Sequence, residues 1–273
     1  MRGFVKDLRK NPWLYFHLGI LLFIGIVCFV GPFFYHQDYR TQNLLLGAQV
    51  PSSEHILGTD ALGRDLLARL LYGGRISIII GFLASAIAIV IGLVYGSLSG
   101  LMGGTIDRVM MRIIDILYPL PFTLLIILVM SLGGRHLFLL ILTMGCFKWL
   151  TMARMVRAQV MNLKLSTFVQ CSQSMGQSAW GIWCKHIFPN LVSILLVYGT
   201  LLLPNIILEE AFVSFLGLGV QPPMSSWGVL ILEGARQMET CPWLLLFPCL
   251  FFSLTLFSLN FLGDCLRDKW GIK

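Results

Sequence analysis

The 273-residue chain is 57% hydrophobic and 12% charged, against about 25% charged in ordinary soluble domains. A soluble globule that apolar would expose surface it could not cover, and a disordered chain needs low hydrophobicity with high charge, so both classes are excluded. The 20 Lys and Arg against 13 Asp and Glu give a formal charge of +7; in a polytopic membrane protein that excess belongs to cytoplasmic loops, and no basic-aromatic stripe argues for nucleic acid.

The first apolar run, Trp13 to Phe34, follows Arg2, Lys6, Arg9 and Lys10. It is too long for a signal-peptide core and no small-x-small cleavage site follows, so it reads as a retained helix with a cytoplasmic N-terminus. Thr59 to Tyr72 reads as an amphipathic helix on the membrane surface or packed on the bundle. Leu62, Leu66, Leu67, Leu70 and Leu71 lie on one side, and Asp65 and Arg69 form an i,i+4 pair off it. The second span, Ile76 to Met102, carries Ala84, Ala88, Gly92, Gly96 and Gly100, a small residue at every fourth position. In lipid such a stripe lets another backbone approach, in this chain or in a second subunit.

The third span, Ile113 to Leu132, is expected to kink near one end at Pro119 and Pro121. The fourth, Leu137 to Leu150, ends in Lys148 and Trp149 with room to run on as a helix past Arg154. A polar segment, Thr151 to Asn190, precedes the fifth span, Leu191 to Leu208, which contains Pro204 and ends at Glu209 and Glu210. A Gly- and Pro-rich loop, Ala211 to Cys241, leads to the sixth span, Trp243 to Leu262, with Pro248, and a short basic tail. The expected fold class is therefore all-α: a polytopic membrane bundle of six transmembrane helices. Its expected parts are an N-terminal helix with an external amphipathic segment (1–74), a five-helix core (75–264) with a cytoplasmic loop at about 151–190, and a tail (265–273).

Six spans put both termini on one side. With that side inside, 14 Lys and Arg fall inside and 6 outside, which supports cytoplasmic termini. The inside set includes Lys148, Arg154, Arg157, Lys164 and Lys185.

Several chemistries are missing. No Gly-Lys dipeptide occurs, so there is no GxxxxGK[ST] phosphate loop, and neither HExxH nor GxSxG is found. The seven cysteines form no CxxC pair and have no His at metal-ligand spacing, so each is read as a small hydrophobe and no cofactor or metal is expected. No acid lies near the expected centre of a span, where ion-coupled carriers usually keep one. That weighs against a secondary transporter, although backbone carbonyls at helices broken by Pro119, Pro121 or Pro204 would serve a sodium ion.

The Thr151 to Asn190 segment carries Arg154, Arg157, Lys164 and Lys185 with no acid, yet also Phe168, Val169, Met175, Trp180, Ile182, Trp183, Ile187 and Phe188. A mere connector has no need of such residues. They fit either a partner surface or packing against the face of the bundle. Gly176 is expected to break one short helix from the next as a C-cap, and Pro189 to mark re-entry into the membrane.

Phe168-Val169-Gln170-Cys171-Ser172-Gln173-Ser174-Met175-Gly176, continuing to Lys185-His186-Ile187-Phe188-Pro189-Asn190, resembles the "EAA" loop of ABC importer permeases. Three further stretches resemble the dipeptide, oligopeptide and nickel branch of that family. They are Leu57-Gly58-Thr59-Asp60-Ala61-Leu62-Gly63-Arg64-Asp65, Ser214-Phe215-Leu216-Gly217-Leu218-Gly219-Val220-Gln221-Pro222-Pro223, and Leu262-Gly263-Asp264-Cys265-Leu266-Arg267-Asp268. The layout is similar to the C-type permease subunit of such systems, with the type I importer fold.

The resemblance implies a non-catalytic subunit of an ATP-driven importer in the bacterial cytoplasmic membrane. Its expected partners are a second, different permease chain, two cytoplasmic ATPase subunits and an external substrate-binding protein. Gln170, Cys171, Ser172, Gly176, Lys185, His186 and Pro189 are the implied ATPase-coupling residues, and Gly58, Thr59, Asp60, Gly63, Arg64 and Asp65 an external motif. The family's Glu-Ala-Ala falls on Gln170-Cys171-Ser172, so the Glu charge is lost and Gln keeps only its hydrogen-bonding reach. Oligopeptides or dipeptides are the leading expected substrates, with nickel or another small solute as the alternative, and an ion-coupled carrier as the alternative of another class.

Overall fold

The computed structural model describes residues 12–269, so Arg2 to Lys10 and Lys273 lie outside the described residues. Nine helices are named here: α1 Pro12–Phe34, α2 Leu66–Met102, α3 Gly104–Leu117, α4 Phe122–Gly133, α5 Leu137–Lys164, α6 Thr167–Ser174, α7 Ala179–Phe215, α8 Trp227–Arg236 and α9 Trp243–Lys269. Five of them (α1, α2, α5, α7, α9) are long and apolar enough to cross a membrane, and the bent pair α3–α4 makes a sixth span when counted as one.

The separate amphipathic helix expected at Thr59 to Tyr72 is not formed. Helix begins only at Leu66, because the Asp65 carboxylate accepts the Ala68 N–H (2.8 Å) as an N-cap. Residues 58–64 are held as turns by Gly58 and Gly63, both at positive φ. Leu66, Leu70 and Leu71 are buried as expected, but as the first turns of α2, which therefore starts ten residues before the expected Ile76. Its 37 residues make a rod about 55 Å long, so its two ends lie at opposite ends of the bundle.

The small-residue stripe finds its partner within the chain: it packs on α5. A Cβ added at Gly92 would sit 2.4 Å from the Met152 Cβ, at Gly96 2.4 Å from the Ala153 carbonyl, and at Gly100 2.8 Å from the Val160 Cβ. Gly145 of α5 returns the fit against Ile87. A backbone atom cannot give way as a flexible side chain can, so Gly96→Val is expected to part α2 from α5. The cost is at least the 1–3 kcal/mol of ordinary overpacking, read as a lowered melting temperature of the detergent-solubilised protein. A variant that melts like the wild type would refute this packing.

Pro119 and Pro121 do more than kink a span. They separate α3 from α4 at a 75° bend, since neither ring can donate the helix hydrogen bond. The fourth span runs on to Lys164, so Lys148 lies inside α5 and leaves the tally of inside-loop charges. The fifth runs from Ala179 to Phe215, so Glu209 and Glu210 lie within the helix and do not mark its end. Pro189, expected at the re-entry into the membrane, lies within this continuous helix. The helix passes through it by widening into a π turn at Trp183–Ile187, which accommodates the missing N–H.

α1 lies against α2 and α9. Its His17 Nδ1 is 3.2 Å from the Ser258 hydroxyl, and its Cys28 is buried where Gly74 leaves space for the sulfur and for the Trp227 ring. Cys28 and Cys241 are buried, but Cys171 and Cys184 are exposed, so the small-hydrophobe reading fails for those two.

Candidate functional site

The segment after α5 is mostly helix. Lys164 Nζ caps the carbonyls of Gly100 (3.1 Å) and Leu101 (2.8 Å), which puts the segment at the C-terminal end of α2. α6 ends in a Schellman turn: the Gly176 N–H donates to Gln173 O (2.9 Å) and the Gln177 N–H to Ser172 O (3.2 Å), with Gly176 at φ +79°. Ser178 then caps the start of α7 through the Gly181 N–H (3.2 Å).

The apolar residues here divide between the bundle core and the outer surface. Val169, Ile182 and Ile187 are buried with Met152, Val156, Val160 and Leu191, fixing the segment to the bundle. Phe168, Met175 and Trp180 point outward, Met175 at 79% exposure and Trp180 at 68%. Trp180 stacks on Trp183 with ring centroids 4.9 Å apart.

Ser172 and His186 are brought together, with the Ser172 Oγ 3.2 Å from Nε2, so α6 is tied to the π turn. Gln170, Cys171, Lys185 and Pro189 are exposed. Among the described residues the exposed Gln170 side chain makes one hydrogen bond, to Leu165 O (3.3 Å). The outcome is a platform anchored in the bundle core that presents Phe168, Met175 and Trp180 outward.

The residues from Gly58 to Asp65 form a clasp at the opposite end. Asp60 Oδ1 accepts the N–H groups of Leu62 (2.9 Å) and Arg64 (3.0 Å), and Oδ2 accepts Arg64 Nε (2.7 Å) and Arg69 Nη1 (2.6 Å). Arg64 and Arg69 both reach on to Glu233 of α8. Asp60, Arg64 and Arg69 are each at least nine-tenths buried, and two acids balance two bases. Arg69 does not form the expected side-chain pair with Asp65. Asp65 is occupied as the cap of α2 and as the acceptor for His55 (2.8 Å) and Tyr35 (3.0 Å). Burial, with Asp65 beside it, pushes the Tyr35 phenol up to about 12, so it stays a neutral donor.

Thr59 closes the loop by donating to Gly47 O (2.7 Å) and accepting the Gln49 N–H (2.8 Å). A Cβ at Gly63 would fall 2.0 Å from Asn43 O, and one at Gly58 2.4 Å from Gln49 O, so both positions exclude a side chain. The six motif residues thus serve as a structural clasp between the loop, α2 and α8.

A family model described as "Binding-protein-dependent transport system inner membrane component" matches residues 88–269. The chain belongs to this family of ABC importer permeases. A second model, "N-terminal TM domain of oligopeptide transport permease C", matches residues 1–51. The permease is 46% identical over 253 residues to the oligopeptide transport system permease protein OppC of Haemophilus influenzae, covering 92% of this chain and 81% of that one. It is 45% identical to the OppC protein of Escherichia coli K12, with 92% and 84% covered. It is 41% identical to the dipeptide transport system permease protein DppC of Bacillus subtilis, with 96% and 82% covered. A solved structure of the MetNI methionine ABC transporter in inward-facing conformations matches with a TM-score of 0.54 at 20% identity, over 73% of this chain and 95% of that one, which gives the fold. As a permease, the chain is the non-catalytic transmembrane subunit of an ABC importer.

The permease also buries a carboxyl to which the sequence alone assigns no partner. Glu210 of α7 is fully buried, and the groups bonded to its carboxyl are hydroxyls. Ser77 Oγ donates to Oε2 (2.9 Å) and accepts the Trp227 N–H (3.3 Å); Ser214 Oγ donates to Oε1 (2.7 Å) and accepts from Ser226 (3.3 Å). Both chains start at backbone N–H groups in the first turn of α8 and run into the carboxyl, so the positive end of the helix dipole reaches Glu210 through hydroxyls. Together with the clasp at Glu233, this fastens α8 to α2 and α7.

Glu210→Ala would leave the Ser77 and Ser214 hydroxyls without an acceptor, at about 1–3 kcal/mol each. It is expected to lower the melting temperature and the amount of permease in the membrane; unchanged values for both would contradict the role given to Glu210. The signal available in the sequence was an acid inside a helix carrying serine four residues on, Glu210 and Ser214.

Proposed function

We propose that this permease carries oligopeptides or dipeptides across a bacterial cytoplasmic membrane, powered by ATPase subunits that dock on α6. The α6 segment carries the proposal: Phe168, Met175 and Trp180 are exposed on a segment that Val169, Ile182 and Ile187 anchor in the bundle core. Such a surface meets a protein partner, and in a chain without a phosphate loop that partner supplies the energy. Gln170, Cys171, Ser172, Gly176, Lys185, His186 and Pro189 belong to the docking element, with Gly176 setting its shape.

Arg108, Arg112, Arg154, Arg157, Lys164 and Lys185 gather toward the α6 end, which supports that end, and both termini, as cytoplasmic. The opposite end, fastened by the Gly58 to Asp65 clasp, then faces the external binding protein. Peptides are the favoured substrates because the similar OppC and DppC proteins are named for them. A second permease chain of a different sequence completes the pathway, and ATPase closure moves α6 with the bundle between inward- and outward-facing states.

Affinity purification of the tagged permease from native membranes tests this. Two ATPase subunits and a second permease chain are expected to co-purify, and peptide-loaded binding protein to stimulate ATP hydrolysis. A permease that purifies without ATPase subunits would overturn the reading.

A further inference from the structure

Two charged side chains meet inside the spanning helices. Lys148 lies 11 residues, about 16 Å, into α5, and Glu209 lies six residues, about 9 Å, before the end of α7. Lys148 Nζ bonds Glu209 Oε1. The pair is incompletely satisfied. Glu209 Oε2 is buried without a hydrogen-bond partner among the described residues, and an ammonium has three donors to place. Neither side chain is sealed into the core: Lys148 is 21% and Glu209 24% exposed. Asn205, one turn before Glu209 on α7, is exposed beside it.

A charge pair open to hydrocarbon is costly, so its open side faces water or a polar partner. In a permease that surface is the pathway. We infer that Lys148 and Glu209 are substrate-contacting residues on the pathway wall, where they exchange each other for the carboxylate and ammonium ends of a passing peptide. The inference rests on the peptide-import reading. A peptide carries both charges, so each member of the pair finds an opposite partner and no charge is left bare while the substrate moves through.

The test uses the assembled transporter in proteoliposomes with its binding protein. In a Glu209→Cys variant, a small water-soluble thiol reagent is expected to modify position 209, located by mass spectrometry, and peptide-loaded binding protein with ATP to slow that modification several-fold. The double variant Lys148→Met/Glu209→Gln removes both charges together, so assembly and melting temperature are expected to hold while peptide uptake falls about tenfold, the scale of one charged hydrogen bond. Position 209 remaining unmodified, modification unaffected by peptide, or wild-type uptake by the double variant would each overturn the inference. If the wild-type transporter imports no peptide at all, the peptide reading itself fails, a result distinct from these.

Discussion

Arg69→Ala is expected to cost about 3–5 kcal/mol and to strip the permease from the membrane fraction. Arg69 is 2% exposed and holds both Asp60 and Glu233, so its removal leaves a buried carboxylate short of its closest counter-charge. Arg64 still reaches Asp60 but cannot fill the position of the lost guanidinium, because its Nε already bonds the same oxygen. Glu233→Gln should cost much less, since Glu233 is 30% exposed and water reaches it. The checks are thermal melting in detergent and the yield of membrane-inserted chain. An Arg69→Ala protein that melts within a degree or two of the wild type would contradict the structural role of the clasp.

Gly176→Val is expected to abolish uptake while the protein still inserts and its spans stay packed. A Cβ at Gly176 meets nothing within 4 Å, so the damage comes from the backbone. At φ +79° an L-residue is strained by about 1–2 kcal/mol, and a β-branched one is the least suited to it. The Schellman turn would open and swing α6 away from the position Ser172 and His186 fix. Asn tolerates this region of backbone space, so Gly176→Asn should keep most uptake. Equal loss in both variants would mean that something other than backbone conformation matters at this position. ATP hydrolysis stimulated by loaded binding protein should fall with uptake in the Val variant.

The apolar runs made the spans legible because hydrocarbon thickness sets their length. The stripe from Ala84 to Gly100 made one packing face legible because only small residues permit so close an approach. Its partner was not legible, since α5 answers with Gly145 and Ala153 at separations no local pattern reveals. Helix ends were the weakest reading. Asp65 reads as half of an i,i+4 pair and is a cap, and the span expected to start at Leu191 is continuous with helix from Ala179 through a π turn.

Charge misled for a related reason. Lys148 reads as a loop residue by type, but its counter-charge is 61 residues away on α7. Glu233, which completes the clasp, lies 164 residues from Arg69. In the α6 segment Gly176 was legible as a break. The division of its neighbours into core anchors and an outward face required coordinates, because Val169 and Phe168 are equally apolar in sequence.

The central claim is that this permease moves peptides only when ATPase subunits drive it. The direct measurement is uptake of labelled peptide into proteoliposomes holding this chain, its second permease and the ATPases, with ion gradients collapsed by ionophores. Uptake that needs both ATP and loaded binding protein, and survives the ionophores, is the expected result. Uptake by this chain alone under an ion gradient, without ATPase subunits, would contradict it.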